Sequence, residues 1–270
     1  MQRLPAQPLL NAVRRRACAG FTLVESAYQP GARMARHGHG PARLSIVLRG
    51  GYAEQYERKT RHAAPLTVVL HPPHEAHAVA FGGRGARVLG VELETEWLAR
   101  LRAAAPVLER PADFRGGPPA WLALRLYDEF RAPDALAPLA AEALLLELLV
   151  EVSRRAPTRE RTVPRWLARA REILHARAAE NLSLTEVAAA VGVHPVHLAR
   201  AFRQFYGVTA GEYARRVRVE RACRALAESD APLSEIAVAV GFYDQSHFTN
   251  VFRRLTRMTP AKFRAHARTR

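Results

Sequence analysis

The chain has 270 residues, of which 49% are hydrophobic and 24% charged, with 41 Lys/Arg against 25 Asp/Glu and a formal net charge of +16. That length suits two domains of ordinary size, and the composition excludes a disordered or fibrous chain. No apolar run approaches the roughly 18 residues of a membrane span. The positive balance suits a polyanion, nucleic acid first, although 39 of the 41 basic residues are arginine, a bias that a G+C-rich coding sequence also produces.

The opening stretch "MQRLPAQPLLNAVRRRACAG" places its arginines after its apolar residues, unlike a secretory signal. Cys18 and Cys223 are far apart and form no C-x-x-C pair, which fits a reduced, cytoplasmic protein. From about 20 to 95 short apolar runs ("FTLVES", "RLSIVLRG", "LTVVLHPP", "ARVLGVEL") alternate with Gly, Pro and His, the pattern of an all-β sandwich or small barrel. From about 118 to 155 the pattern is helical. "LAPLAAEALLLELLVEVSRR" is apolar around much of its circumference, so it is expected to pack against a domain or a second subunit. "RRAPTRERTVPR" (154–165) is charged, holds Pro157 and Pro164, and has no apolar face; it reads as a linker.

After Pro164 the pattern is helical throughout and contains a repeat. "TEVAAAVG" (185–192) recurs 49 residues later as "SEIAVAVG" (234–241), and "HLARAFRQFYGVTA" (197–210) recurs at an offset of 50 as "HFTNVFRRLTRMTP" (247–260). The extra residue falls in a turn, as expected of two copies of one helix–turn–helix unit. Each leading helix ends at a glycine, Gly192 or Gly241, suited to a left-handed cap. Ser183 and Glu186 make an S-x-x-E capping box. Pro195 suits the first position of the following helix, and Asp244 is a candidate N-cap in the second copy.

The second helix of each copy has two faces. Leu198, Phe202 and Phe205, matched by Phe248, Phe252 and Leu255, form a stripe for the core. The opposite face offers Val196, Ala199, Arg200 and Arg203 in copy one, and Gln245, Ser246, Thr249, Asn250, Arg253 and Arg254 in copy two. Asn and Gln pair bidentately with adenine and Arg with guanine, while small apolar side chains meet the thymine methyl. Residues 164–270 carry 18 Lys/Arg and 9 Asp/Glu, a net of +9, so the basic excess is densest where the repeat lies.

These stretches, with "RVRVERACRAL" and above all "IAVAVGFYDQSHFTNVFRRLTRMTPAKFR", resemble the DNA-binding region of AraC/XylS-family transcription regulators over the last roughly 105 residues. The resemblance implies two helix–turn–helix motifs joined by a long helix at about 211–228 and set in successive major-groove segments. It places base reading on Val196, Ala199 and Arg200 and on Gln245, Ser246, Thr249 and Asn250. Arg203, Arg253 and Arg254 lie farther along the helices and are expected at phosphates. Double-stranded promoter DNA and RNA polymerase are the implied macromolecular partners, with a homodimer and a small-molecule effector; activation is the family habit.

The same family commonly carries an N-terminal cupin-like barrel. "GARMARHGHGPARLSIVLRG" (31–50) fits the cupin spacing G-x5-H-x-H-x3-E-x6-G except that Arg43 holds the acidic position, and "PPHEAHAVAF" adds an element ending at His77. His37, His39 and His77 are a sufficient set for zinc or iron in principle, with His71 and His74 near them in sequence. The arginine argues against a cation, so a divalent metal is an option that the sequence does not favour, and no cofactor is expected. The expected architecture is a β cupin-like sensor domain (1–115), a helical packing or dimerisation segment (116–156), a linker (157–164) and an all-α double helix–turn–helix domain (165–270). The competing reading is a metal-dependent cupin enzyme fused to a DNA-binding module. Some DNA-repair alkyltransferases carry this module too, but they need a reactive cysteine cluster that isolated Cys18 does not supply.

Overall fold

The computed structural model describes residues 10–101, 105–131, 133–155 and 163–268. It divides into two compact units, residues 1–156 and 157–270. Most of the stretch read as a linker, 157–162, lies outside the described residues.

The first unit is built on β1 (Leu10–Cys18), β2 (Phe21–Tyr28), β3 (Arg33–His37), β4 (Arg43–Tyr56), β5 (Lys59–Ala63), β6 (Thr67–His71), β7 (His77–Leu93) and β8 (Ala112–Arg115). The strands run antiparallel in the order β1-β2-β7-β4-β6-β8, with β3 added to β7 and β5 to β4. Both β4 and β7 serve twice. Residues 43–50 of β4 pair with 86–92 of β7, and 52–56 pair with 77–81, with one register shift at Val47/Arg49 inside the first half and another at Gly50/Tyr52 between the halves. Such bulges bend a strand and raise its local twist. The two halves then share one interior, where Val47 and Val88 pack in a buried cluster with Tyr52, Val79 and Phe81. This is the strand-rich, barrel-like unit expected from the alternating apolar runs.

Helix α1 (Thr95–Leu101) lies between β7 and β8, and α2 (Gly117–Arg131) and α3 (Ala137–Arg155) follow β8. Helix α2 is tied to the sheet through Glu25, which has no solvent exposure. Its Oε1 accepts from Arg87 Nε at 2.6 Å and from the Tyr127 hydroxyl at 2.6 Å, with Arg131 Nη1 3.5 Å from Oε2. A carboxylate out of reach of water needs such partners. Helix α3 packs on α2 and buries Leu144, Leu145, Leu148, Leu149 and Val152. Its other face leaves Leu139, Ala143, Leu146 and Val150 exposed.

The second unit is helical: α4 (Arg165–Ala176), α5 (Leu184–Ala190), α6 (Pro195–Tyr206), α7 (Ala210–Glu228), α8 (Leu233–Ala239), α9 (Gln245–Thr256) and α10 (Pro260–Arg268). The Ser183–Glu186 capping box opens α5. His194 caps α6 ahead of Pro195, and Asp244 Oδ1 caps α9 by accepting from His247 N at 2.6 Å. Both leading helices end in the same six-residue motif. Val193 N donates to Ala188 O at 3.0 Å and Gly192 N to Ala189 O at 3.2 Å; Phe242 N donates to Ala237 O at 2.9 Å and Gly241 N to Val238 O at 3.0 Å. This Schellman arrangement needs a left-handed residue at the glycine position, and the φ angles are 70° at Gly192 and 94° at Gly241.

Leu167 and Leu174 of α4 are buried with Val187, Leu198 and Phe202 of the first copy. In the second copy Phe242, Phe248, Phe252 and Phe263 pack edge to tilted face in a chain with centroid steps of 5.3, 5.5 and 5.8 Å. The joining helix α7 holds the two copies to the 176–181 loop. Arg218 Nε donates to Ala178 O at 2.6 Å and its Nη2 to Glu180 O at 3.0 Å, while Arg221 Nη2 donates to Ala176 O at 3.0 Å.

The two glycines differ in one respect. A Cβ on Gly192 would meet nothing within 4 Å, whereas a Cβ on Gly241 would lie 2.3 Å from Ala179 O. Gly192→Ala should therefore cost only its left-handed strain, about 1–2 kcal/mol, and Gly241→Ala distinctly more. Thermal unfolding of the two variants checks the order; equal losses would show that the second turn is not pressed against the loop.

Candidate nucleic-acid interface and effector cavity

Helices α6 and α9 present the faces that the sequence pattern assigned. Leu198, Phe202, Phe248 and Phe252 are fully buried, while Phe205 and Leu255, at the ends of the stripes, are half-buried. On the outer faces Val196, Ala199, Arg200 and Arg203 of α6 are exposed, as are Gln245, Ser246, Asn250, Arg253 and Arg254 of α9; Thr249 is half-buried. Each copy thus brings its candidate base-reading residues onto one helix face, with the arginines expected at phosphates toward the C-terminal end. Ala199, Arg200 and Arg203 also border an apolar groove of about 630 Å³ closed by Leu182, Val187 and Ala214.

Two features here escaped the sequence reading. The extra residue of copy two falls between the buried Phe242 and the cap Asp244, and it leaves Tyr243 91% exposed beside the start of α9. A second capping box, Thr209–Glu212, starts α7: Thr209 Oγ1 accepts from Glu212 N at 3.2 Å, and Glu212 accepts from Thr209 N at 2.8 Å. Its T-x-x-E signature was present in the sequence.

In the first unit His37, His39 and His77 come together as the motif spacing implied. Their ring centroids are 4.5 Å (His37–His77), 5.1 Å (His37–His39) and 5.3 Å (His39–His77) apart. They line a cavity of about 220 Å³ whose wall includes Tyr28, Met34, Phe81 and Val88. His71 lines the same cavity, whereas His74 is exposed on its loop. Arg43 does point inward: it lines the cavity and pairs with Glu92 at 3.7 Å.

Spacing did not reveal the carboxylates. Glu54, on the second half of β4, is wholly buried, and Arg61 stands directly opposite it on β5. Arg61 Nε donates to Glu54 Oε2 at 2.7 Å, and its Nη2 lies 3.3 Å from Glu75 Oε2. His71 Nδ1 lies 3.1 Å from Glu75 Oε2. Burial favours the neutral form of His39, His71 and His77. Burial, then the Arg43 charge, lowers His39 to about 3; burial also lowers His71 and His77 against the opposing pull of Glu54.

Comparison with known proteins matches both units. A family model described as AraC-like ligand binding domain covers residues 22–149, and one described as helix-turn-helix domain covers residues 187–266. The chain is 39% identical over 85 residues to a "probable transcription factor PqrA" of Proteus vulgaris, spanning 32% of this chain and 70% of that protein. It is 32% identical over 177 residues to a protein of Streptomyces antibioticus described as an AraC-like transcription regulator, spanning 60% of this chain and 56% of the relative. Among solved structures, a transcriptional regulator from Chromobacterium violaceum with an AraC-type DNA-binding domain matches at 30% identity and a TM-score of 0.37, covering 38% of this chain and 93% of that one.

Proposed function

Because the chain belongs to the AraC family of transcription regulators, we propose that it binds double-stranded promoter DNA through α6 and α9 and takes a small-molecule effector in its N-terminal unit. One observation carries the DNA reading: the same capped turn occurs twice, each time setting a helix with a buried aromatic stripe behind and an exposed hydrogen-bonding face in front. Arg200 is the first-copy residue that can make a bidentate base contact, most simply with guanine, and Gln245 and Asn250 suit adenine. Val196 and Ala199 supply apolar contact of the kind that meets a thymine methyl. Arg203, Arg253 and Arg254 serve phosphates, and Tyr243, exposed at the mouth of the second turn, reaches the backbone there.

For the N-terminal unit, the cavity of about 220 Å³ sets the size of the effector. The regulator acts as a homodimer through α3, where Leu139, Ala143, Leu146 and Val150 recur at i, i+4, i+7 and i+11 on the exposed face, a spacing suited to a helix–helix seam. It regulates by recruiting RNA polymerase, most simply as an activator, rather than by an enzymatic step.

Binding of the full chain to a selected DNA site should weaken steeply with salt, because neutralised phosphates release counterions. Arg200→Ala should relax preference at one base pair, and Asn250→Ala at another about one helical turn away, each by roughly 1–3 kcal/mol. Arg203→Ala and Arg253→Ala should weaken all sequences alike. Binding-site profiles of the four variants provide the test; a uniform loss in Arg200→Ala with no change of base preference would make Arg200 a phosphate contact.

The dimer has its own check. Leu139→Glu with Leu146→Glu should yield a folded monomer by light scattering, with tenfold or greater loss of affinity for a two-site operator. A double variant that stays dimeric would move the interface off α3.

A further inference from the structure

The histidine cavity contains an electrostatic conflict. His37 Nδ1 lies 2.8 Å from Ala35 O and His77 Nδ1 lies 3.0 Å from Glu75 O. A carbonyl oxygen only accepts, so both ring nitrogens must be the N–H donors, which leaves Nε2 of each neutral ring with a bare lone pair. His77 Nε2 then faces Glu54 Oε1 at 3.6 Å. That oxygen is buried and has no hydrogen-bond partner, because Arg61 engages the other oxygen. Two acceptors confront each other there, with His71 Nδ1 3.4 Å from the same oxygen, and a cation between the lone pairs relieves the conflict.

We propose that the cavity binds a divalent first-row transition-metal ion through the Nε2 atoms of His37 and His77, a ring nitrogen of His39, and Oε1 of Glu54. The ligand atoms of the three histidines already lie within 4.8 Å of one another, as do those of Glu54, His71, Glu75 and His77. The two groups share His77, and metal–nitrogen distances of roughly 2.0–2.1 Å require them to close on one ion. Glu54 supplies the carboxylate that motif spacing had assigned to position 43. It arrives from the far half of β4 because the bend in that strand returns it over the cavity.

Arg43, which argued against a cation, is answered by the charges around it. Arg43 pairs with Glu92, and Arg61 is shared by Glu54 and Glu75. Arg15 also reaches Glu92 at 3.5 Å, so three carboxylates balance three guanidiniums and the Arg43 charge is already compensated where a dication would sit. Three imidazoles and one carboxylate suit zinc, iron, cobalt or nickel rather than magnesium or calcium. The carbonyls of Ala35 and Glu75 play the supporting part, fixing which ring nitrogen points inward. The proposal deepens the sensor reading, on which it rests only for the claim that the ion forms part of the effector site.

The test is titration of the full chain, stripped with a chelator, with Co²⁺. Visible ligand-field absorption should saturate at one ion per chain and be displaced by Zn²⁺. His39→Ala, in a half-exposed loop position, should weaken binding at least tenfold while leaving the circular dichroism melt intact. Glu54→Gln should weaken it too, and His74→Ala, exposed on the neighbouring loop, should not. Absence of Co²⁺ binding, or equal binding by wild type and His39→Ala, would overturn the site. DNA affinity measured on the same samples separates the two readings: intact DNA binding without a Co²⁺ signal sinks the metal site alone, while Co²⁺ binding without DNA binding supports the metal site and sinks the regulator reading.

Discussion

The second helix–turn–helix copy is seated against the 176–181 loop by a contact that involves no side chain on one partner. Gly241, at φ 94°, brings the second turn so close to Ala179 that a Cβ would lie 2.3 Å from its carbonyl oxygen. The loop it meets is held from beneath by Arg218 and Arg221 of α7, whose guanidiniums donate to the carbonyls of Ala176, Ala178 and Glu180. These carbonyls follow the end of α4, where backbone acceptors lack helical partners. Two arginines therefore satisfy the end of one helix and clamp the turn of the other copy at once. A protein reading two successive segments of a rigid duplex needs the spacing of its two reading helices fixed, since a misplaced second helix would forfeit its base contacts while the first stayed bound.

The clamp also changes what the basic composition means. Residues 164–270 carry a net charge of +9, yet Arg218 and Arg221 serve carbonyl oxygens, and so does Arg264, whose Nη2 donates to Ala231 O at 2.6 Å. Arg218 is half-buried, and its guanidinium donates to the carbonyls of Ala178 and Glu180. Exposed arginines lie on α6 and α9 (Arg200, Arg203, Arg253, Arg254) and equally on α4 (Arg165, Arg169, Arg171), so net charge by itself does not pick out one face. Net charge pointed to the right partner, but the positions of individual arginines carry the argument.

The helical unit was legible almost residue by residue because its signals are local. Capping boxes, a glycine after a run of small residues and a proline at the first helical position each act within six residues. The change of repeat offset from 49 to 50 located the extra residue before a structure was needed, although the exposure of Tyr243 follows only from seeing Phe242 turn inward. The strand-rich unit was legible only in part. Its apolar strands β2, β4, β6 and β7 were read; β1, "LNAVRRRAC", was not, because three consecutive arginines break the alternation on which strand recognition depends. Glu54 was beyond reach for a different reason. Its place in the cavity depends on the bend in β4 and on its register against Arg61 and Val79, and register joins residues that no short motif contains.

The two buried carboxylates of the N-terminal unit show how much follows from that register. Glu25 and Glu54 are both sealed from water, and each has an arginine within hydrogen-bonding distance. Glu25 has a hydroxyl and a second arginine as well, so it serves as a structural anchor between sheet and α2. Glu54 turns its remaining oxygen toward His71 Nδ1 at 3.4 Å and His77 Nε2 at 3.6 Å. Each carboxylate keeps one oxygen without a hydrogen bond, Glu25 Oε2 beside Arg131 and Glu54 Oε1 beside the cavity histidines, so what separates an anchor from a candidate ligand is the kind of neighbour and not the degree of satisfaction.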